Sequence, residues 1–95
     1  MARADVDVQD QPGQSRWEAT LGGELAGFAE YRRDGERIVF THTVVDPAHE
    51  GQGIGSALAR AALDDARAQG LAVVPRCSFI RAWIDKHPDY VDLLA

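Results

Sequence analysis

The chain has 95 residues, which is enough for one folded domain and too few for two. Acidic residues outnumber basic ones by 15 to 10, which gives a net charge of −5, and the basic side chains form no run or stripe. This balance disfavours a nucleic-acid-binding protein. Because the overall field repels anions, an anionic ligand would have to be held by local backbone N–H groups and a helix dipole.

The single cysteine, Cys77, excludes an internal disulfide and offers no pair of metal ligands, so no metal site is predicted. The segment from Met1 to Asp5 lacks the apolar stretch of a signal peptide. No apolar run approaches the length of about 20 residues that a membrane span needs. We therefore expect a cytoplasmic protein without a membrane partner, present as a monomer or weak dimer.

The beginning of the chain is polar and acidic. We predict a frayed tail over residues 1–14, closed by Pro12-Gly13, and an ordered domain over residues 15–95. Within that domain Gly22-Gly23 and Asp34-Gly35 are dipeptides that can adopt the positive φ angles of tight hairpin turns. The two dipeptides separate runs with the composition of β-strands.

These runs cover residues 16–21, 25–32 and 37–45, and they predict an antiparallel meander. Strict alternation in the third run predicts one face shared by Ile38, Phe40, His42 and Val44. His42 is therefore expected among apolar neighbours in a central strand.

The hydrophobic period becomes helical over residues 53–69, and Gly70 is a natural helix stop. The apolar run 71–74 has the character of a buried parallel strand. A further helix is predicted over residues 79–86, with Ser78 as its cap. The fold class is therefore α/β (α+β): an antiparallel β-meander followed by a βαβ unit and a C-terminal helix.

The loop between the third strand and the first helix carries glycines at positions 51, 53 and 55. Glycines there let the backbone approach a ligand closely and direct N–H groups at it, with the positive end of the helix behind them. A Walker A loop is excluded because no lysine precedes Ser56, and a dinucleotide-binding fingerprint is disfavoured because antiparallel strands come first. A flexible connection without a ligand remains the alternative to an anion-binding loop.

Several separated motifs resemble the GNAT (N-acetyltransferase) superfamily, and more narrowly its very short members, which are little more than the cofactor-binding half. The resemblance extends from about residue 16 to residue 94. The motifs are Val45-Asp46-Pro47, the stretch from Glu50 to Leu58, His42-Thr43, Val74-Pro75 with Cys77, and His87-Pro88-Asp89-Tyr90. The motif from Glu50 to Leu58 departs from the superfamily pattern at Glu50, where the superfamily prefers Gln or Arg.

The resemblance implies acetyl-CoA, or coenzyme A, as the cofactor. Its pantetheine arm would lie between two splayed strands, and its pyrophosphate would lie over the helix that begins near Gly53. The cofactor-binding residues implied are Val44, Val45, Glu50, Gly51, Gln52, Gly53, Ile54, Gly55 and Ser56.

Catalytic residues are harder to assign, because the tyrosine that larger members carry on the last helix is absent from the stretch 81–85. Cys77 follows an apolar strand and precedes a helix, where a thiol can act as an acyl acceptor or an acid. A buried core cysteine is the alternative. His42 is a candidate general base or a hydrogen-bonded core histidine, and His87 and Tyr90 lie further on.

The function predicted is transfer of an acetyl group from acetyl-CoA to an amine acceptor, with a protein or peptide lysine as a candidate. Helices that help to form the acceptor site in full-size members have no room in the turn between residues 21 and 24, so an open acceptor surface is expected. The alternatives are a CoA or acyl-CoA sensor without catalysis and a plain interaction domain.

Overall fold

The structure is a computed structural model that describes residues 6–95. A five-stranded sheet has the order β1-β2-β3-β4-β5. The strands are β1 Val6–Gln11, β2 Arg16–Leu21, β3 Glu24–Asp34, β4 Arg37–Val45 and β5 Ala72–Pro75. The helices are α1 Ile54–Ala68 and α2 Ser78–Asp85, with 3₁₀ turns at Pro12–Gln14, Pro47–His49 and Pro88–Leu93. Strands β1 to β4 are antiparallel and β5 is parallel to β4, which confirms the predicted meander, βαβ unit and C-terminal helix.

The first strand corrects the predicted tail. Residues 1–5 lie outside the described range, but β1 pairs with β2 along its whole length, from Val6 opposite Leu21 to Gln11 opposite Arg16. The side chains of Val6 and Val8 pack against the core. The ordered sheet therefore begins well before residue 15, and the prediction of a tail was wrong from residue 6 onward.

Both hairpin turns form, one of them a residue later than predicted. Gly22 and Gly23 have φ angles of 62° and 83°, which suit a primed turn between β2 and β3. In the second hairpin β3 runs to Asp34, and the turn consists of Gly35, with φ 61°, and Glu36.

Both helices cover the same face of the sheet, which we call the inner face. The larger core cluster joins Phe40 and Val73 of the sheet to Leu63 of α1 and Ile80 of α2. Each such side chain is fully buried, and each contributes about 1.5–3 kcal/mol by leaving water. No helix of the described part of the chain covers the opposite face, which we call the outer face.

Strand β4 contains a β-bulge at Thr41. Tyr31 pairs with Phe40 and Glu30 pairs with His42, so Thr41 has no residue opposite it. The hydroxyl of Thr41 instead donates to the backbone oxygen of Glu30 at 3.2 Å and to its carboxylate at 3.0 Å. An extra residue of this kind shifts the side-chain alternation of a strand by one position.

The bulge overturns the predicted common face of β4. Ile38 and Phe40 are buried on the inner face, whereas His42 and Val44 are exposed on the outer face. Beyond the bulge, Thr43 takes the inner position. His42 is therefore not a core histidine.

Strands β4 and β5 part after a short parallel ladder. Their pairing ends with Phe40 opposite Pro75, and one more bond follows, from Cys77 N to Phe40 O at 2.9 Å. The chain then enters α2, with Cys77 rather than Ser78 at the N-cap and without a side-chain capping bond. Beyond Phe40, β4 has a strand partner on the β3 side only. No helix in the described range is long and apolar enough to cross a membrane.

Candidate cofactor-binding and active site

The loop between β4 and α1 is built from a capped turn and two left-handed glycines. Asp46 caps the 3₁₀ turn, with its carboxylate accepting from Ala48 N at 2.9 Å. Gly51 and Gly53 have φ angles of 82° and 79°, which side-chain-bearing residues rarely adopt. Glycine is therefore favoured at both positions by the backbone conformation.

The loop leaves a row of backbone donors unused. The first intrahelical bond of α1 runs from Ala57 N to Gly53 O at 3.0 Å. Among residues 6–95, no protein acceptor is hydrogen-bonded to the N–H groups of residues 51 to 56. These groups meet at the N-terminus of a helix of 15 residues, where the helix dipole also favours negative charge. This is the geometry of an anion-binding site.

The free edge of β4 leads away from this row of donors. Asp46 N donates to Ala26 O at 2.8 Å, and alternate residues of an antiparallel strand direct their backbone groups to the same neighbour. Val44 therefore turns its backbone groups toward β3, while Thr43 and Val45 turn theirs toward the side from which β5 has departed. An extended ligand with amide groups can add to that edge as a further strand would.

A groove of about 340 Å³ joins the loop to α2. Its loop side is formed by Val45, by residues 49 to 51 and by residues 53 to 56, and its other wall by Phe79 and Trp83. Most of the predicted cofactor-binding residues are thus brought together. Gln52 and Val44 do not line the groove, and the side chain of Val44 lies on the outer face. The assignment of these residues to cofactor binding stays a prediction.

The wall formed by Phe79 and Trp83 was not identified as part of a site from the sequence. A Cβ on Gly55 would lie 2.7 Å from Phe79 Cζ, so the Phe79 ring lies directly against the first turn of α1. Trp83 Nε1 donates to Ser56 Oγ at 2.9 Å. The i, i+4 spacing of the two aromatic residues on one face of α2 is the signal that could have identified this wall.

His87 and Tyr90 hold this wall in place. His87 stacks on Trp83 with ring centroids 3.7 Å apart, and its Nδ1 lies 2.7 Å from the Trp83 carbonyl oxygen. Tyr90 packs edge-on against Trp83 and donates from its hydroxyl to Asp64 at 2.7 Å. That hydrogen bond, with burial, raises the pKa of Tyr90. Both residues are therefore engaged in structural contacts.

His49 also lines the groove, and it was not identified as a site residue from the sequence. Its Nδ1 is buried without a hydrogen-bond partner in the described structure, and its Nε2 lies 3.6 Å from the Glu24 carboxylate. It precedes Glu50, the residue that departs from the superfamily pattern.

Cys77 lies at the point where β4 and β5 part. The residue is only 5% exposed and belongs to the larger core cluster. Its Sγ donates to Thr43 Oγ1 at 3.3 Å. The thiol is therefore packed, yet it lies next to the free edge of β4.

His42 lies on the other face of β4. Its Nε2 is 3.4 Å from the Glu30 carboxylate, and its ring meets Phe28 edge-on at a centroid distance of 6.5 Å. Sequence reasoning missed Glu30, because only the bulged register makes it the partner of His42. Of the two predicted catalytic residues, His42 thus lies on the outer face of β4, whereas Cys77, at the start of α2, contacts Thr43 on the inner face. No cluster of three or more potential metal ligands occurs within residues 6–95.

The fold is similar to those of several solved structures, among them a named N-acetyltransferase. The solution structure of a GCN5-like putative N-acetyltransferase from Staphylococcus aureus aligns with a TM-score of 0.73 and 24% identity, covering 94% of this chain and 87% of that one, which shows the fold. The ribosomal-protein-S18-alanine N-acetyltransferase from Escherichia coli aligns with a TM-score of 0.59 and 27% identity, over 61% of this chain and 38% of that one. Ard1 from Thermoplasma volcanium aligns with a TM-score of 0.57 and 27% identity, over 64% of this chain and 43% of that one.

The chain thus spans less than half the length of the last two proteins. No curated protein matches it. The family model for GCN5-related N-acetyl-transferase, however, matches residues 16–93, which is most of the chain. Together with the loop, the parted strands and the shared fold, this match shows that the chain belongs to the GCN5-related N-acetyltransferase family.

Proposed function

We propose that the protein binds acetyl-CoA in the groove between the loop and α2 and transfers the acetyl group to a primary amine. The observation that carries the proposal is the row of unused N–H groups from residue 51 to residue 56 at the N-terminus of α1. In a protein with a net charge of −5, such a row supplies the local positive potential that a pyrophosphate needs.

The remaining parts of the groove also fit this cofactor. The free backbone groups of Thr43 and Val45 suit the amides of a pantetheine arm, and Phe79 and Trp83 offer apolar surface beside it. When bound, acetyl-CoA supplies an acetyl thioester, whose acyl group passes to the amine nitrogen as the carbon–sulfur bond breaks. The protein's own task is then to place the amine and to handle two protons.

His42 is proposed as the group that accepts the proton from the amine, at Nδ1, because Nε2 faces the Glu30 carboxylate. The Glu30 carboxylate, 3.4 Å away, stabilises the imidazolium that forms. Cys77 Sγ holds a proton next to the free edge of β4, directed at Thr43 Oγ1. That proton is available to a departing thiolate, which favours Cys77 as an acid over Cys77 as an acyl acceptor.

A CoA or acyl-CoA sensor without catalysis is the second candidate. The packing of Cys77 in the core favours it, since a residue 5% exposed needs no chemical role to explain its place. The groove face of α2 also carries Phe79 and Trp83 and no tyrosine. Saturable binding of acetyl-CoA without transfer to any amine would support this candidate.

An open acceptor site supports a protein or peptide amine as the acceptor. With β1 as the first strand, the connection between the first two strands is the 3₁₀ turn Pro12–Gln14, not the turn at residues 21 to 24 as expected from the sequence. It is equally too short for helices. The Escherichia coli neighbour is a ribosomal-protein-S18-alanine N-acetyltransferase, which is in keeping with an amine on a protein.

The acidic balance supports a monomer or weak dimer that acts without nucleic acid. Analytical ultracentrifugation of the purified chain, alone and with duplex DNA, checks both statements. A DNA-dependent, salt-sensitive shift would contradict them.

The test of the catalytic proposal combines binding and transfer on the same preparations. His42→Gln is expected to retain acetyl-CoA affinity by calorimetry and to lower acetylation of a lysine-bearing peptide by about 10²-fold or more, as for loss of a general base. Cys77→Ala is expected to retain affinity and lose transfer, while Cys77→Ser, which keeps a donor, retains part of it.

If Cys77 is only a core residue, Cys77→Ala should cost about 1 kcal/mol of stability and leave transfer intact. Full transfer in both Cys77→Ala and His42→Gln would refute the assigned roles. Mass spectrometry after incubation with acetyl-CoA shows in addition whether Cys77 ever carries an acetyl group.

A further inference from the structure

A second groove, of about 320 Å³, lies on the outer face of the sheet. Its walls are the side chains of Leu25, Phe28 and Val44, and Asp46 and Pro47 close one end. Leu25 and Val44 are each 43% exposed, which is unusual for large apolar side chains that adjoin one another. Nothing in the folding of the described chain explains this apolar surface.

Two β-bulges create the groove. Ala19 pairs with Gly27 while Thr20 pairs with Leu25, so that Ala26 is an extra residue in β3 and Leu25 turns outward. The bulge at Thr41 in β4 turns Val44 outward in the same way. Both irregularities thus remove an apolar side chain from the core face and add it to one outer patch.

The groove ends at the carboxylate–imidazole pair. Phe28 pairs with Val44, and the next outer-face pair is Glu30 with His42, two residues along each strand or about 7 Å away. The Arg16 guanidinium lies over the Phe28 ring at 4.5 Å and is ion-paired with Glu18 at 2.7 Å, and Arg16 stands opposite Glu30 in the pairing of β2 with β3. Because Glu18 balances Arg16, the carboxylates of Glu30 and Asp46 leave a surplus of negative side-chain charge beside the groove.

We propose that this outer groove binds the acceptor, and that the acceptor is a primary ammonium group next to an apolar side chain, such as a peptide amino terminus with an apolar first residue. The apolar side chain lies on Leu25, Phe28 and Val44, and the ammonium lies at Glu30 and His42. The inference rests on the proposed acetyl transfer and names its substrate class. Such an acceptor must carry its ammonium group within about 7 Å of its apolar side chain, a distance that one or two residues of a peptide span.

The groove also lies on the correct side for the reaction. His42 lies on the same face of the sheet as the groove, next to it, whereas the hydroxyl of the adjacent Thr43 accepts a hydrogen bond from Cys77 beside the free edge of β4. An amine at His42 can therefore reach the inner groove over that edge, where no strand closes the sheet.

The test uses three small probes and nuclear magnetic resonance of the whole chain. Leucinamide has the ammonium and the apolar side chain, N-acetyl-leucinamide lacks the ammonium, and glycinamide lacks the side chain. Leucinamide is expected to shift the resonances of Leu25, Phe28, Val44 and His42, and to bind at least fivefold more tightly than either other probe.

Two variants with controls locate the binding. Leu25→Ser should weaken leucinamide binding about tenfold through lost apolar contact, whereas Leu94→Ser, at a similarly exposed leucine 39% exposed on the inner side of the fold, should not. Glu30→Gln should abolish the preference for leucinamide over its N-acetyl derivative, a change that a merely structural Glu30 would not produce. Thermal melts of each variant confirm the fold.

Absence of shifts at the groove, or equal weakening by Leu25→Ser and Leu94→Ser, would overturn the inference. So would unchanged discrimination in Glu30→Gln. Calorimetry with acetyl-CoA and mass spectrometry of leucinamide acetylation on the same samples test the proposed function separately. Leucinamide bound in the groove without acetyl-CoA binding would refute the acetyltransferase and keep the groove as an amine site.

Discussion

The two proposed ligand sites, one on each face of the sheet, are built from different kinds of group. On the inner face the candidate cofactor site consists of backbone N–H groups held by left-handed glycines and by packed aromatic residues of α2. On the outer face Glu30 of β3 and His42 of β4 are partly exposed side chains. The proposed cofactor site is therefore tied to the fold, while the proposed acceptor site depends on side chains that can change at little cost in stability.

The largest expected contrast compares two phenylalanines on opposite faces. Phe40 is completely buried on the inner face, whereas Phe28 is half-buried on the outer face. Phe40→Ala should lower the free energy of unfolding by about 3–5 kcal/mol, and Phe28→Ala by about 1 kcal/mol. Urea denaturation of the two variants checks this. Equal losses of unfolding free energy in the two variants would contradict the distinction between a packed inner face and an exposed outer face.

A glycine on the inner face gives the next largest effect. A Cβ on Gly27 would lie 2.7 Å from the Val44 carbonyl oxygen and 3.0 Å from Ile54 Cγ2. Because one of these atoms is backbone, Gly27→Ala should cost about 1–3 kcal/mol through overpacking. Gly13→Ala, whose Cβ meets nothing within 4 Å, serves as the control and should change stability by less than about 0.5 kcal/mol. Equal changes of melting temperature in the two variants would refute the close approach of Gly27 to the Val44 carbonyl oxygen.

Regular elements could be predicted from the sequence, because their signals are local. The helical period of α1, Gly22-Gly23 and the apolar run of β5 each specify their structure within a few residues. The bulge at Thr41 could not be predicted, since the alternation from Ile38 to Val44 continues unbroken in the sequence. Only the register with β3 reveals it, and it moves His42 to the opposite face. The alternation of Val6 and Val8 is a signal that could have indicated β1, but the polar and acidic residues around them have the composition of a tail.

The same distinction holds for the candidate site. The glycines of the loop are a local signal, so residues 51 to 56 could be identified without the structure. Glu30 and His49 could not, because each meets its partner through tertiary packing. Phe79 and Trp83 are intermediate: their spacing indicates a common face, but only the contact with Gly55 and Ser56 shows that it lines a groove.

A hydrogen bond between β1 and β3 predicts sensitivity to alkaline pH. Tyr31 donates to Asp10 at 2.7 Å, and burial together with this bond raises the pKa of Tyr31 from 10.0 to about 12. Because the folded pKa is raised, the contribution to stability is complete below pH 10 and is lost as the pH rises through about 12. Tyr31→Phe should lower stability at neutral pH by about 0.5–1.5 kcal/mol and remove this part of the alkaline loss.

Stability curves at several pH values, with tyrosinate absorbance as a second signal, measure this effect. Asp10→Asn is the matched variant and should lower the pKa of Tyr31 toward its ordinary value, since it removes the carboxylate. An unchanged titration in Asp10→Asn would mean that β1 does not hold Asp10 against Tyr31.

The central claim is that the loop from residue 51 to residue 56 binds acetyl-CoA, and calorimetry of two matched glycine variants tests it most directly. Gly53 and Gly23 have similar positive φ angles, 79° and 83°, and open space at Cβ. Alanine should therefore impose a similar strain of about 1–2 kcal/mol on the fold at either position. We expect Gly53→Ala to lose at least about tenfold in acetyl-CoA affinity and Gly23→Ala to bind as the wild type does. Equal affinities in the two variants, or no binding by the wild-type protein, would contradict the account.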